Sequence, residues 1–282
     1  MKPENVALAG ELAVVTDNLT FGYDGRISPF IWEIEEKGAW SAYNLVMQNK
    51  VWGNPSLKVC NFEEYSQGAN NKAEKDKAQA LYEILKFHLE DFEFYVAYYS
   101  DDSFYIHVGK TSDGDWIGIG TEFDFDPHAS LIGHYETSES CQFKKALPSS
   151  AALQVISNLE QAGFSEAKVP VWHIDYLRLD KKKKYIYCVS QQKEELVERI
   201  LIASRFLAIR ELGEGIDALG NEFAVCEDDP QKDYKQLDRL LKSRLTNLRI
   251  YMVGLPSSGE FDIYALGNTS TGDYAGVLID VE

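Results

Sequence analysis

Residues 109–124 read GKTSDGDWIGIGTEFD, and residues 267–282 read GNTSTGDYAGVLIDVE. Aligned without a gap, the two stretches share Gly109/Gly267, Gly114/Gly272, Gly118/Gly276, Thr111/Thr269, Ser112/Ser270 and Asp115/Asp273. A match of this kind at a fixed offset is typical of a duplicated folding unit. The sequence therefore predicts two copies of one unit within its 282 residues.

The shared motif has the composition of a β-hairpin. Gly114 and Gly272 can adopt the positive φ that a tight turn needs, and the Thr and Ser before them can bond the turn backbone. Gly118 and Gly276 fall inside a strand, which indicates a bulge or the close approach of another segment. A phosphate-binding loop is the alternative, but no helix start follows these glycines, so the geometry for binding an anion is missing.

Hydrophobic periodicity predicts a similar order of elements in both halves. We expect in the first half a helix at 1–17, a loop at 21–29, a strand at 30–34, a helix at 72–92 and strands at 93–99, 103–110 and 115–125. The counterparts in the second half are a helix that Ser149 or Ser150 caps and that ends at Gln161, a strand at 171–177, a helix at 233–248 and three strands after it. The second half is longer, with an extra strand and an extra helix (193–211) within 181–212.

This order predicts an α+β fold. It consists of two tandem α/β sandwich units, each an antiparallel β-meander packed with helices, since a meander with one apolar face needs helices on it. The predicted boundaries are 1–126 for the first unit, 127–148 for a linker and 149–282 for the second unit with its inserted strand and helix.

The chain is strongly acidic, with a net charge of −17. Such a charge disfavours direct contact with nucleic acid or an anionic membrane and can attract a basic protein, although solubility alone also explains it. Pro3, Glu4 and Asn5 interrupt any signal stretch, and we find no apolar segment long enough to span a bilayer. The four cysteines form no CxxC pair, so we expect reduced thiols and a cytoplasmic location.

Few residues point to catalysis or to a metal. Glu122, Asp124, Asp126 and His128 alternate along one extended segment and could bind a divalent ion, but a solvated strand face explains them as well. A solvent-exposed turn is favoured over a nucleic-acid contact for the four lysines at 181–184. We find no HExxH, GxSxG, P-loop or dinucleotide motif, so neither an enzyme nor a cofactor is expected.

The repeated unit resembles the nuclease A inhibitor family, small acidic α/β proteins that block a sugar-non-specific, divalent-metal-dependent endonuclease. The family loop and Pro-Phe/Trp-Glu strand are matched by LTFGYDGRISPFIWE (19–33) and more loosely by GFSEAKVPVWHID (163–175). LKVCNFEEYSQG (57–68) is similar to the strand and acidic loop that precede the family's long helix, and residues 267–282 are similar to its last hairpin.

The resemblance implies binding residues. An acid of the first loop and the C-terminal carboxylate of the family converge on the catalytic metal of the nuclease. Carried over, the loop acid is Asp24 in the first copy and Glu166, next to Ser165, in the second, and the terminal group is Glu282. A turn residue at Asp24 and a loop charge at Glu166 are the structural alternatives.

The expected function follows from these positions. We expect a protein-binding module in which Glu166 and Glu282 of the second copy inhibit a basic, metal-dependent nuclease. The alternative is an immunity-type or scaffold protein that uses the same fold on a different partner without inhibiting a nuclease.

Overall fold

The structure, a computed structural model, describes most of the predicted helices and strands. The described residues are 1–17, 19–21, 25–48, 55–67, 72–99, 102–121, 148–164, 185–204, 206–213, 234–255 and 260–281. The helices described are α1 (Pro3–Thr16), α2 (Ile34–Lys37), α3 (Ala42–Gln48), α4 (Phe62–Gln67), α5 (Lys72–His88), α6 (Ser150–Gln161), α7 (Lys193–Ala203) and α8 (Lys235–Arg244). The strands are β1 (Thr20–Phe21), β2 (Gly25–Trp32), β3 (Ser56–Cys60), β4 (Glu90–Tyr99), β5 (Asp102–Lys110), β6 (Trp116–Thr121), β7 (Tyr185–Ser190), β8 (Leu207–Glu211), β9 (Thr246–Leu255), β10 (Glu260–Asn268) and β11 (Tyr274–Val281).

The chain folds into two compact units, and each unit combines separate parts of the sequence. Unit 1 contains the described residues of Met1–Pro55 and Phe206–Glu282, and unit 2 contains those of Ser56–Pro127 and Gln142–Arg205. The predicted division at 126 and 149 follows sequence order and differs from this grouping. The repeated motif adjoins a strand in each half, so its recurrence does not determine which segments pair.

Unit 1 is a six-stranded antiparallel sheet with helices packed on it. The strand order is β1-β2-β11-β10-β9-β8, which places β2 beside β11. Leu8 and Leu12 of α1 pack with Leu237 and Leu241 of α8 in one core cluster on the sheet. These leucines recur at a spacing of four, which aligns them on one face of each helix. The N-terminal helix and the C-terminal strands therefore share a hydrophobic core.

Unit 2 repeats this arrangement with a five-stranded antiparallel sheet in the order β3-β4-β5-β6-β7. Leu81 and Leu85 of α5 and Leu159 of α6 pack in one cluster with Ile117 and Ile119 of β6. The predicted cap of α6 is confirmed, because the Ser149 hydroxyl accepts a hydrogen bond from the Ala152 amide over 3.2 Å.

The glycines of the repeated motif have the roles that the sequence predicts. Gly114 and Gly272 have φ angles of 92° and 83° in the two equivalent turns. A Cβ on Gly118 would collide with Ile200 of α7, so this glycine lets the helix approach the sheet.

The predicted α+β fold is confirmed, as are the two antiparallel meanders with their long helices. Several bounds differ from the prediction. The helices predicted at 72–92 and 233–248 end at His88 and Arg244, and the strands β4 and β9 begin two residues later. The strand predicted at 30–34 ends at Trp32, and α2 begins at Ile34. The segment 21–29, expected as a loop, contains the start of β2, which pairs with β11 through seven residues. The extra helix expected at 193–211 ends at Ala203, and Leu207–Glu211 form β8 against β9 instead. The predicted strand at 171–177 and the linker up to residue 147 lie outside the described residues.

Candidate functional site

The four predicted binding residues all lie outside the described residues. They are Asp24, Ser165, Glu166 and Glu282. The described residues nearest to them in sequence have known positions in the fold.

The strand ends next to Asp24 and Glu282 are neighbours in the sheet of unit 1. Asp24 directly precedes Gly25, the first residue of β2, and Glu282 directly follows Val281, the last residue of β11. Arg26 and Asp280 are Cα partners in the antiparallel pair of these strands. Positions from opposite ends of the sequence therefore adjoin neighbouring strand ends.

Ser165 and Glu166 continue from a different place in the fold. They follow Phe164, whose side chain is fully buried in the core of unit 2. Glu282 belongs to unit 1. Among the described residues, no strand pair connects the segment that ends at Phe164 with β11. The joint use of Glu166 and Glu282 therefore stays a prediction, and so does that of Asp24 and Glu282, whose described neighbours Arg26 and Asp280 are paired.

Further carboxylates lie at the same end of the sheet. Asp262 and Asp280 are directly opposite on β10 and β11. Asp262 is 1% exposed and accepts a hydrogen bond from the Tyr264 hydroxyl over 3.1 Å. Burial, followed by the charges of Asp262 and Asp280, raises the pKa of Tyr264, so the phenol stays protonated as a donor. We call Asp262 and Asp280, with the flanking Asp24 and Glu282, the acidic end of unit 1.

A positively charged side chain, Arg26, lies on the strand next to the acidic end. Arg26 is exposed and stands opposite Asp280, so it offsets part of the negative charge. Asp262 and Asp280 lie on two neighbouring strands. Carboxylates complement a basic protein surface and are hard oxygen ligands of the kind that Mg²⁺ accepts.

A buried aspartate joins the N-terminal segment to the last hairpin. Asp273 is 1% exposed, and its Oδ2 accepts from Lys2 Nζ at 2.8 Å, Asn5 Nδ2 at 2.9 Å and Thr271 Oγ1 at 3.0 Å. Its Oδ1 accepts from the Ile34 amide at 3.1 Å. Asp273 therefore contacts both the start of α1 and the residues after β2.

The electrostatics of Asp273 follow from these contacts. Burial acts to raise the pKa of its carboxyl, but the hydrogen bonds from Lys2, Asn5, the Ile34 amide and Thr271 outweigh burial and hold the pKa well below its usual range. Glu33 is held in the same way, since the Asn5 side chain and the Lys2 amide lower its pKa. The two carboxylates are ionised together around Asn5, which donates to both.

Sequence reasoning assigned Asp273 only to the turn of a hairpin. The signal that could have revealed its role is the recurrence of an aspartate at the same motif position, as Asp115 and as Asp273. If such an aspartate is buried and ionised, it needs hydrogen-bond donors from another segment.

The metal alternative is not resolved by the described residues. Glu122, Asp124, Asp126 and His128 lie outside them. Within the part of the chain that the structure describes, no group of three or more His, Cys, Asp or Glu side chains is placed to hold a metal ion.

Comparison with known proteins supports part of the resemblance. Residues 221–281 match the family described as NuiA, nuclease A inhibitor-like protein. The comparison with curated proteins found no match. Searched over the described residues, no helix combines the length and the apolar character that a membrane crossing requires.

The family match covers α8, β9, β10 and β11, all in unit 1. It covers one copy of the repeat, so the likeness of the first half to this family stays a prediction. An inhibitor family fits a protein without catalysis of its own. The chain thus contains a nuclease A inhibitor-like region, which suggests a protein-binding role of the inhibitor type.

Proposed function

We propose that this protein binds and inhibits a divalent-metal-dependent, non-specific nuclease through the acidic end of unit 1. The proposal is supported by the nuclease A inhibitor-like match over residues 221–281. The observation that carries it is the pairing of Arg26 with Asp280, because these residues stand two positions from Asp24 and Glu282 respectively.

The chemistry suits such a target. A non-specific nuclease presents a basic groove to DNA and a divalent ion to the scissile phosphate. A carboxylate from Asp24 or Glu282 can take the place of a water or a phosphate oxygen on that ion. Asp262 and Asp280 add negative charge nearby, which favours association with a basic surface.

In this proposal the first loop, not the second, acts together with Glu282. Ser165 and Glu166 belong to unit 2, and their contact with a partner stays a prediction. The proposal therefore assigns the shared contact with the nuclease to Asp24 and Glu282.

The test is a titration of the full chain into a non-specific Mg²⁺-dependent nuclease, with the rate of DNA degradation as the readout. The intact protein should inhibit, and a double variant with Asp24→Asn and with Glu282 deleted should inhibit at least tenfold less well. Glu11→Gln is the matched control, because Glu11 is an exposed acid of unit 1 that pairs with Arg244 on another part of the unit. Absence of inhibition by the intact protein rejects the function for that nuclease, and equal inhibition by the double variant rejects the acidic end.

A second candidate function is suggested by unit 2. Gly118 pairs with Cys188 and its equivalent Gly276 pairs with Phe30, so Cys188 corresponds to Phe30 at an offset of 158. At that offset, the sequence has Lys182 where unit 1 has Asp24. Opposite charge at equivalent positions favours a different partner for unit 2, in the manner of a scaffold or immunity-type protein. Replacing the lysines at 181–184 by glutamates should then leave nuclease inhibition unchanged.

A further inference from the structure

The aspartate of the repeated motif makes the same kind of contact in both units. In unit 1, Asp273 accepts from the side chain of Lys2, the N-cap residue of α1, over 2.8 Å. In unit 2, Asp115 accepts from the backbone amide of Ser149, the N-cap residue of α6, over 2.9 Å. Each aspartate therefore holds the start of a helix that is distant in sequence.

Each aspartate also contacts the residues that follow a strand. Asp273 Oδ1 accepts from the amide of Ile34, two residues after the end of β2. Asp115 Oδ1 accepts from the side chain of Gln191, directly after the end of β7, over 2.5 Å. Both aspartates thus connect the two ends of a helix–strand segment, α1–β2 in one case and α6–β7 in the other.

The strand registers are equivalent as well. Tyr274 pairs with Trp32, and Trp116 pairs with Ser190. The repeat aligns Tyr274 with Trp116 at an offset of 158, and Ser190 follows Trp32 by the same 158 positions. Since the offset is the same on both members of the pair, β7 is the counterpart of β2 and α6 is the counterpart of α1.

The donors and acceptors of these contacts come from opposite halves of the chain. The hairpin of the second half holds the segment of the first half, and the hairpin of the first half holds the segment of the second half. In the arrangement that follows sequence order, α1–β2 would instead lie on β6, and α6–β7 on β11.

We propose that the repeated Gly-Asp hairpin is a docking site for a helix–strand segment, and that the two halves of this chain have exchanged these segments. Asp115 and Asp273 are the anchor points. Unit 1, which bears the acidic end, is completed by the first half of the chain, and this holds whether or not the protein inhibits a nuclease.

Limited cleavage of the full chain tests the exchange. A protease site is inserted within residues 127–148, and the folded protein is cut there. If the segments are exchanged, each unit contains strands from both fragments, and the fragments co-elute on gel filtration at the mass of the intact chain. Fragments that separate without denaturant overturn the proposal.

A cysteine pair distinguishes exchange from simple adhesion of two halves. Arg26→Cys with Asp280→Cys joins Cα partners of the exchanged pair. Arg26→Cys with Glu122→Cys is the matched control, because Glu122 is equivalent to Asp280 at the offset of 158. After oxidation, cleavage and unfolding, the first pair should hold the fragments together. Both cysteines of the control pair precede the cleavage site, so this pair is read by thiol titration, and both of its added thiols should stay free.

Three results contradict the proposal. Cross-linking of the control pair in place of the first shows that the halves fold in sequence order. Failure of the first pair to cross-link, in a variant that keeps the wild-type circular dichroism spectrum, shows that β2 and β11 are not adjacent. A cross-linked product of twice the chain mass before cleavage shows that the exchange occurs between two molecules. The single variant Arg26→Cys is the control for a disulfide between the introduced cysteine and a native one.

Discussion

Asn5 donates from Nδ2 to Asp273 Oδ2 over 2.9 Å, although 268 residues separate the two. The same amide group donates to Glu33 over 2.7 Å. Both carboxylates are almost fully buried, so each needs its donors to remain ionised. The first residues of the chain are therefore bound by charge-assisted hydrogen bonds to the last hairpin.

The first prediction concerns this contact. Asp273→Asn keeps the shape of the side chain but removes its charge. The hydrogen-bond donors that face the carboxylate in the wild-type protein then face an NH₂ group or a neutral oxygen. We expect the free energy of unfolding to fall by about 2–4 kcal/mol, since buried donors lose a charged acceptor. Urea denaturation followed by circular dichroism measures the change.

The control for this variant is Glu11→Gln. Glu11 and Arg244 also join the N-terminal helix to the C-terminal part of unit 1, at 2.6 Å, but both side chains are exposed. An exposed ion pair contributes less than about 1 kcal/mol. If the two variants cost the same, burial of Asp273 is not what makes its contacts strong.

Acid stability provides the second prediction. His107 is 3% exposed and lies among aromatic rings, with Tyr65 and Phe94 at centroid distances of 4.7 and 5.1 Å. Burial lowers its pKa from 6.5 to about 4, because the charged imidazolium is poorly solvated there. The unfolded chain then binds a proton at His107 more readily than the folded chain, and stability decreases as the pH falls from 6.5 to about 4.

The loss from His107 over this interval is about 3 kcal/mol. Replacement by leucine should make the free energy of unfolding less dependent on pH between 7 and 4, measured by urea denaturation at both values. The ionised Asp273 loses its contribution only at lower pH, below its ordinary pKa of 3.8, so the two groups are separable. A His107→Leu protein with the wild-type pH dependence would show that another group is responsible.

Much of the fold was predictable from local signals. The leucines of α5 and α8, the Ser149 cap and the turn glycines each specify an element within a few residues of themselves. These signals are short-range, so the recurrence of a motif elsewhere in the sequence does not weaken them. The predicted length of α7 is too great. The apolar residues of the edge strand β8 continue the hydrophobic pattern of the helix beyond Ala203, where the helix ends.

The pairing of segments was not predictable in the same way. Both β6 and β11 offer a strand edge with the same glycine and aspartate, and the sequence contains two helix–strand segments that fit them. Which segment docks on which edge depends on long-range contacts such as that of Asn5 with Asp273. The joint action of Glu166 and Glu282, which the family resemblance implies, stays a prediction because both residues lie outside the described part of the chain.

The third prediction uses the close approach of α7 to β6. A Cβ on Gly118 would meet both Ile200 and Leu196 of the helix. Gly118→Val should therefore push α7 away from the sheet and lower the free energy of unfolding by about 1–3 kcal/mol or more. Thermal unfolding measures it, and a second substitution Ile200→Ala, which opens space at the contact, should recover part of the loss. Destabilisation that simply adds in the double variant would contradict a direct collision.

The last prediction separates the two loops that the family resemblance proposes. Asp24→Lys puts a positive charge beside the start of β2, at the acidic end, whereas Glu166→Lys makes the same charge change after Phe164 in unit 2. If Asp24 and Glu282 act together without Glu166, Asp24→Lys should weaken inhibition of an Mg²⁺-dependent nuclease at least tenfold, because a lysine repels a basic target. Glu166→Lys should then leave inhibition within about twofold. Inhibition constants at low and physiological salt provide the measurement, and the two variants have the same net charge, so a general electrostatic effect would weaken both equally. The reverse order of effects would return the inhibitory contact to Glu166 and separate it from the Arg26–Asp280 end of the sheet.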